Sequence, residues 1–292
     1  MTILLALVSI LCWGSWMAVQ HGNVSPNSRS RIVYATFANL IVSAVVFFAS
    51  GSRMELSAAW LPFLGGLLWG VAGAFSFSAT DRLGLAKAVG IWAAINTVVG
   101  LVWGALLFGE LAGLSPRSYV LTGASLAVLV AGIAMLSVPD KDQGPAGAKS
   151  RLSGYVSVLI VGILWGSYFI PVTASGQGPL AAAFPMSAGM FVASLAMALT
   201  ERKPLVFAKP KQYLVSLFSG CLWAAANYAM LLLCERIGRG KGFAMIQPNL
   251  AVNALIGLFL FREREPGSRE GRRILVGALV TAAGGMLFGL AK

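Results

Sequence analysis

The sequence predicts an all-α integral membrane protein of ten transmembrane helices arranged as an inverted 5+5 repeat. Three observations carry that prediction. The composition is too apolar for water, ten long apolar runs follow one another at near-even spacing, and paired motifs recur 152–154 residues apart.

Of the 292 residues, 58% are hydrophobic and 11% charged, with 34 glycines and a mean hydropathy of +0.80. A soluble domain carries roughly a quarter charged residues, so a water-soluble globule is excluded. The 22 Lys and Arg outnumber the 10 Asp and Glu, for a net charge of +12. In a soluble chain that excess would suggest nucleic acid. Here the charges fall between the apolar runs, so they read as anchors at anionic lipid, and no nucleic-acid partner is expected. Cys12, Cys221 and Cys234 lie inside apolar runs and form neither a disulfide framework nor a Cys-x-x-Cys motif. With a single histidine, no pair of acids inside a helix and no Gly-x-x-x-x-Gly-Lys loop, no enzyme, metal or cofactor chemistry is expected.

The runs are 2–20, 32–49, 59–79, 86–108, 118–138, 153–174, 180–199, 213–234, 242–261 and 273–290. About 20 apolar residues cross the hydrocarbon as a helix with every backbone hydrogen bond satisfied internally. The runs lack the alternation of a membrane barrel strand. The first has no basic residue before it and no cleavage pattern after it, so it reads as a retained helix. Pro139 to Arg151 (PDKDQGPAGAKSR) is the longest polar connection. It divides the chain into a first five-helix unit, 1–138, a linker, 139–151, and a second unit, 152–292.

The two units resemble each other. Trp13-Gly14-Ser15 returns as Trp165-Gly166-Ser167, and Asp81-Arg82-Leu83-Gly84 with Lys87 returns as Glu235-Arg236-Ile237-Gly238 with Lys241. Trp69 answers Trp223, Gly123 answers Gly277, and Leu107-Phe108-Gly109-Glu110 answers Leu260-Phe261-Arg262-Glu263. Five helices per unit is an odd number, so the second unit must enter the membrane from the opposite side. Inverted repeats of this kind build many secondary transporters, with substrate near the midplane between them. Lys and Arg divide into 6 on the side of the termini and 16 on the other. The positive-inside bias therefore expects both termini outside the cytoplasm, in the cell (inner) membrane, with the linker inside.

Polar residues at membrane depth need a partner or a wet cavity, and so nominate a site. Trp92, Asn96, Gly100 and Trp103 share one face of the fourth run. The ninth opens with Gln247-Pro248-Asn249, followed one turn later by Asn253; Pro248 removes a backbone donor and loosens the helix start. The eighth run adds Trp223 and Asn227, the third Trp69, and the first Trp13, Ser15 and Gln20. An indole beside amides suits a polyol, whose C–H face the ring covers while the amides take the hydroxyls; it equally suits an aromatic or amino-acid solute. The expected substrate-binding set is Trp13, Trp92, Asn96, Trp223, Asn227, Gln247, Asn249 and Asn253. Equally, each Asn could bond a neighbouring helix and each Trp fill the core. Asp81 with Arg82 and Glu235 with Arg236 are expected as gating pairs, or as headgroup anchors of helix ends. His21 reads as a solvated loop residue or an acceptor for a coupling proton. Glu263, within Arg262-Glu263-Arg264-Glu265, reads as part of a solvated turn. Gly285 and Gly289 in the tenth helix have the small-xxx-small spacing of a helix dimer, which makes a homodimer through helix 10 an expectation alongside packing within one chain.

The ten runs, the inverted repeat, Trp-Gly-Ser in each unit's first helix and a glutamate closing the fourth and ninth resemble the drug/metabolite transporter superfamily. Leu4–Ser15 (LLALVSILCWGS) and Ala86–Glu110 look most like its glucose/ribose porter and rhamnose–proton symporter group. The resemblance implies a secondary carrier of a small metabolite, with sugars as the leading class, around a cavity lined by helices 1–4 and 6–9. Exporters of organic cations in that superfamily carry a glutamate within the first helix; this one has none, which favours a neutral substrate. An amino-acid or other metabolite exporter, and a non-transporting receptor or scaffold, remain alternatives.

Overall fold

The computed structural model describes residues 1–108, 112–113, 115–137, 145–237, 245–246 and 248–290. Gln247, Glu110, Lys241, residue 138 and the first part of the expected linker, 139–144, lie outside the described residues.

All regular secondary structure among the described residues is helical. The helices are α1 (Thr2–Ser15), α2 (Ser30–Ala49), α3 (Trp60–Leu83), α4 (Leu85–Phe108), α5 (Pro116–Ser137), α6 (Pro145–Ser167), α7 (Phe169–Ala174), α8 (Pro179–Leu199), α9 (Pro210–Ile237), α10 (Asn249–Leu255) and α11 (Arg269–Leu290). A 3₁₀ turn, Ala18–Gln20, continues α1, and a π turn, Ile256–Leu260, continues α10. Four helices (α5, α6, α8 and α9) begin on a proline. Its fixed φ suits the first turn, where its missing N–H would have had no helical partner. Starting at Pro145, α6 takes up the second part of the linker segment.

Among the described residues, eight helices are long and apolar enough to cross a membrane: α1 with its 3₁₀ extension, α2, α3, α4, α5, α6 running into α7, α8 and α9. The ninth and tenth runs are not among them. Asn249–Leu260 is a shorter apolar helix, begun at Pro248 as its N-cap. The first turn of α11 carries Arg269, Glu270, Arg272 and Arg273. The outer faces are apolar: Phe37, Ile41, Val45 and Phe48 form an exposed stripe at helical spacing along α2, as a surface facing lipid tails requires.

The interior is held by close backbone approach. The most extensive packing is α3 on α8, followed by α5 on α11, α3 and α4 on α6, α1 and α2 on α9, and α2 on α8. A Cβ at Gly66 would stand 1.9 Å from the carbonyl oxygen of Met186, and one at Gly189 2.1 Å from that of Phe63. Small residues let membrane helices approach this closely, and the contact replaces the hydrophobic drive that lipid cannot supply. On α11, Gly277 and Gly284 pack against Leu136 and Leu129 of α5. A single residue, Gly84, turns the chain from α3 into α4 with φ of 87°, a left-handed conformation that glycine adopts without penalty.

Candidate functional site: an indole core below a charged vestibule

Five indoles meet at the centre of the bundle, each from a different helix or its extension. Trp69 of α3 stacks on Trp165 of α6 with centroids 5.3 Å apart and meets Trp223 of α9 edge-on at 4.7 Å. Trp92 of α4 lies edge-on to Trp165 at 5.4 Å. Trp16, just past α1, packs against Trp69 at 6.1 Å and Trp165 at 6.4 Å. All five are buried, and the Trp165 Nε1 donates to the Trp69 carbonyl at 3.2 Å. The gap enclosed by Trp16, Ala35, Thr36, Asn39, Trp69 and Trp223 is too narrow to admit a water molecule.

Above this core a cavity of about 360 Å³ opens at the end of the bundle where α3 turns into α4. Its deep wall includes Met17 and Phe77; Phe77 meets Trp16 edge-on at 5.9 Å and carries the Arg31 guanidinium over its ring at 4.5 Å. Around it stand His21, Arg31, Asp81, Arg82, Lys87, Arg151, Glu263 and Arg264. Asp81 is paired by Arg31 through two guanidinium nitrogens, and Arg82 donates to Ser78 one turn back on its own helix. Asp81 thus pairs across helices and not with its chain neighbour. Lys87 is buried, its ammonium 5.7 Å from the Tyr155 ring. Arg236 is exposed.

Glu263 corrects the expectation of a solvated turn. The π turn at the end of α10 brings it back over the start of α4, where its Oε1 accepts from Leu85 N at 2.6 Å and its Oε2 from Ala86 N at 3.4 Å. An acid at a helix N-terminus satisfies orphan donors and meets the positive end of the dipole. Gly84 and Gly257 make its seat, because a Cβ at either would come within 2.7 and 2.9 Å of the carboxylate. Burial raises the Glu263 carboxyl above the usual carboxylate range; the backbone donors at Leu85 and Ala86, with His21 and Arg264, oppose that rise. His21 is exposed and stacks on Phe261, with centroids 3.8 Å apart.

Of the residues nominated by sequence, Trp92 and Trp223 belong to one indole core, and Trp13 packs at its edge. Asn227 and Asn253 are buried and Asn96 and Asn249 half-buried. Asn249 donates to the Ile246 carbonyl at 2.6 Å and Asn253 to that of Asn249 at 3.0 Å, which satisfies backbone groups near the helix start at Pro248. Other amides stitch helices together: Gln20 donates to Ser219 at 2.8 Å, and Asn39 to Ser187 at 3.0 Å. Trp16, Trp69 and Trp165 were missing from the nominated set. Trp165 was accessible to sequence reasoning as the repeat mate of Trp13. Trp16 carries no comparable motif.

A polytopic helical bundle with an aromatic centre and a charged vestibule at one end is the architecture of a multi-pass membrane carrier. The Sugar_transport family, described as sugar transport protein, matches residues 4–291, and the chain belongs to that family. A protein of Enterococcus faecalis named for sugar uptake is 27% identical, over 100% of both chains. The glucose uptake protein GlcU of Bacillus subtilis is 25% identical, over 100% of this chain and 99% of its own. A solved crystal structure, 18% identical, covers 99% of this chain and 97% of its own with a TM-score of 0.61; at that identity it shows the fold alone.

Proposed function

We propose that the protein is a secondary transporter that moves a neutral monosaccharide across the membrane by alternating access. The observation that carries this reading is the sugar-transport family match over nearly the whole chain, and the indole core supplies the chemistry. Flat indole faces cover the C–H face of a pyranose, while amides at Asn96, Asn227, Gln247, Asn249 and Asn253 take its hydroxyls. In this reading Trp92 and Trp223 supply the indole faces, and Trp13 walls the site. The acids Asp81 and Glu263 lie at helix ends, and no acid deep in the core favours a cation among the described residues.

An inverted repeat of residues 1–138 and 152–292 supports alternating access. Exchanging α1–α5 for α6, α8, α9, α10 and α11 maps most of the well-packed helix pairs onto each other: α3–α8 onto α9–α2, α3–α6 onto α9–α1, and α4–α5 onto α10–α11. The correspondence extends to atoms. A Cβ at Gly66 would meet the Met186 oxygen at 1.9 Å, and one at its counterpart Gly220 the Ala35 oxygen at 2.0 Å. The positive-inside count puts the vestibule on the cytoplasmic side and both termini outside. There Asp81 and Arg82, and at the other face Glu235 and Arg236, act as gating residues.

Proteoliposome counterflow of labelled glucose, ribose and rhamnose is the test. Saturable exchange of at least one sugar, reduced by Trp92→Ala and Asn249→Ala, is expected. Absence of all three fluxes alongside saturable amino-acid exchange would overturn the reading.

A further inference from the structure

Trp13-Gly14-Ser15 and Trp165-Gly166-Ser167 are seated alike but bonded differently. A Cβ at Gly14 would meet Val252 at 2.5 Å and the Asn249 oxygen at 3.3 Å; one at Gly166 would meet Val99 at 2.7 Å and the Asn96 oxygen at 3.0 Å. These neighbours are themselves counterparts, 153 residues apart. Ser15 donates to Leu11 O at 2.7 Å and Ser167 to Ile163 O at 2.8 Å, again equivalently. The indoles break the pattern. Trp165 donates its N–H to the Trp69 carbonyl. The Trp13 Nε1 is buried with no acceptor among the described residues, although the counterpart acceptor, the Trp223 carbonyl, exists. A buried donor without a partner calls for a physical explanation, because it has given up its bond to water. Trp13 lies one helical turn before Met17 on α1 and its 3₁₀ extension, and Met17 lines the vestibule.

We infer that Trp13 and Trp165 trade roles during transport. In the state seen here Trp165 is parked on Trp69, and Trp13 offers its N–H to a hydroxyl of a sugar arriving through the vestibule. In the opposite-facing state Trp13 parks on the Trp223 carbonyl and Trp165 becomes the free donor. This rests on the sugar-carrier reading with its inverted repeat. The exchange follows from that symmetry: if each unit adopts the other's conformation when the protein switches sides, the asymmetric bond must switch with it.

The test uses a protein with Cys12, Cys221 and Cys234 replaced by serine and Thr80→Cys in the vestibule wall, labelled in membrane vesicles by an impermeant maleimide. Loss of the parked bond in Trp165→Phe should slow labelling severalfold, and Trp13→Phe should speed it. Trp13→Phe should also raise the glucose concentration that protects Cys at 80 by about 5–10-fold, the weight of one hydrogen bond, although its vestibule is more open. A purely structural tryptophan would not give an opener vestibule together with weaker sugar binding. Should phenylalanine unfold either variant, benzothienylalanine at the same position keeps the fused ring and removes the N–H, with the same outcomes expected. Labelling shifts of the same sign, or unaltered glucose protection in Trp13→Phe, overturn the exchange. If the Thr80→Cys protein is protected by none of glucose, ribose and rhamnose and exchanges none of them, the sugar reading fails first, and the exchange with it.

Discussion

Gly66→Ala is the sharpest test of how the bundle is held. The added methyl would start 1.9 Å from the Met186 carbonyl oxygen and 2.8 Å from the Met190 nitrogen, both backbone atoms of α8. A real Cβ does not come within 3.0 Å of such atoms, so α3 and α8 must separate by about 1.1 Å at the crossing. No side-chain rotation relieves the clash. The same displacement opens the contacts at Gly70, whose own Cβ would lie 2.5 Å from the Met190 oxygen. Overpacking of this kind costs about 1–3 kcal/mol, against which alanine recovers roughly 0.5–1 kcal/mol of helix propensity. Gly123 on α5 is the control, since nothing lies within 4 Å of a Cβ there. Thermal unfolding of the detergent-purified protein should show Gly66→Ala melting several degrees below wild type and Gly123→Ala at or above it. At about 2–4 °C per kcal/mol for domains of 150–250 residues, the gap between the two variants is measurable. Equal melting temperatures for the two would refute backbone contact as the determinant of the α3–α8 crossing.

Asn39→Leu removes the donor to Ser187 between α2 and α8 and should lower stability by roughly 0.6 kcal/mol and no more than about 1.7, the range for single hydrogen bonds between membrane helices; chemical denaturation in mixed micelles reads it. Two carboxylates outside the spans should titrate in opposite senses. Glu201 between α8 and α9 is raised by burial but lowered overall by Ser28 N–H and Oγ–H donors and by Arg29 and Lys203, so its contribution is present above the ordinary carboxylate range and fades as pH falls through the depressed value. Glu263 is raised overall, so its contribution is present below the ordinary range and fades as pH rises through the elevated value. Melting curves taken from acid to neutral pH should therefore show Glu263→Gln gaining on wild type as pH rises and Glu201→Gln losing; parallel curves would contradict both assignments.

The apolar runs were legible because a spanning helix must be apolar along its whole length, and the structure puts helix in each of them. The connections were less so. The third and fourth helices were expected to be separated by several residues, yet α3 runs on through the Asp81-Arg82-Leu83 segment to the single corner at Gly84. Charge at a helix end looks like loop in sequence, while the Arg31 pairing that stabilises Asp81 comes from a distant helix. The seat of Glu263 is hidden for the same reason: its alternating charged neighbours say solvent, and only the π turn with Gly257 aims it at α4. Among the amides, spacing could place Asn39 and Gln20 at membrane depth but could not say which helix stood opposite. Both are spent on serines of α8 and α9. The aromatic centre was half legible, since Trp92 and Trp223 follow from helical faces, whereas the stacking of Trp69 on Trp165 depends on how α3 crosses α6.

The distribution of close contacts also constrains which parts can move. Backbone-to-backbone approaches join α3 to α8 at Gly66 and Gly189, and α2 to α9 at Gly220. Helices in contact at that range cannot slide without lifting apart, so each pair behaves as one body. The join of α4 to α10 combines direct packing, with a Cβ at Gly257 meeting Ala86 N at 3.2 Å, and the Glu263 side chain on the first N–H groups of α4, beside the glycine corner at 84. A side-chain cap can be exchanged without separating two helix backbones, and a glycine corner absorbs the dihedral change. Motion that opens or closes the vestibule is therefore cheapest at the start of α4, where Lys87 and Glu263 line the cavity, while the paired helices carrying Trp69 and Trp223 rock as units. That division puts the indole exchange at the boundary between rigid pairs, because Trp165 and Trp13 belong to α6 and α1, which pack on α3 and α9 and also reach α4 and α10.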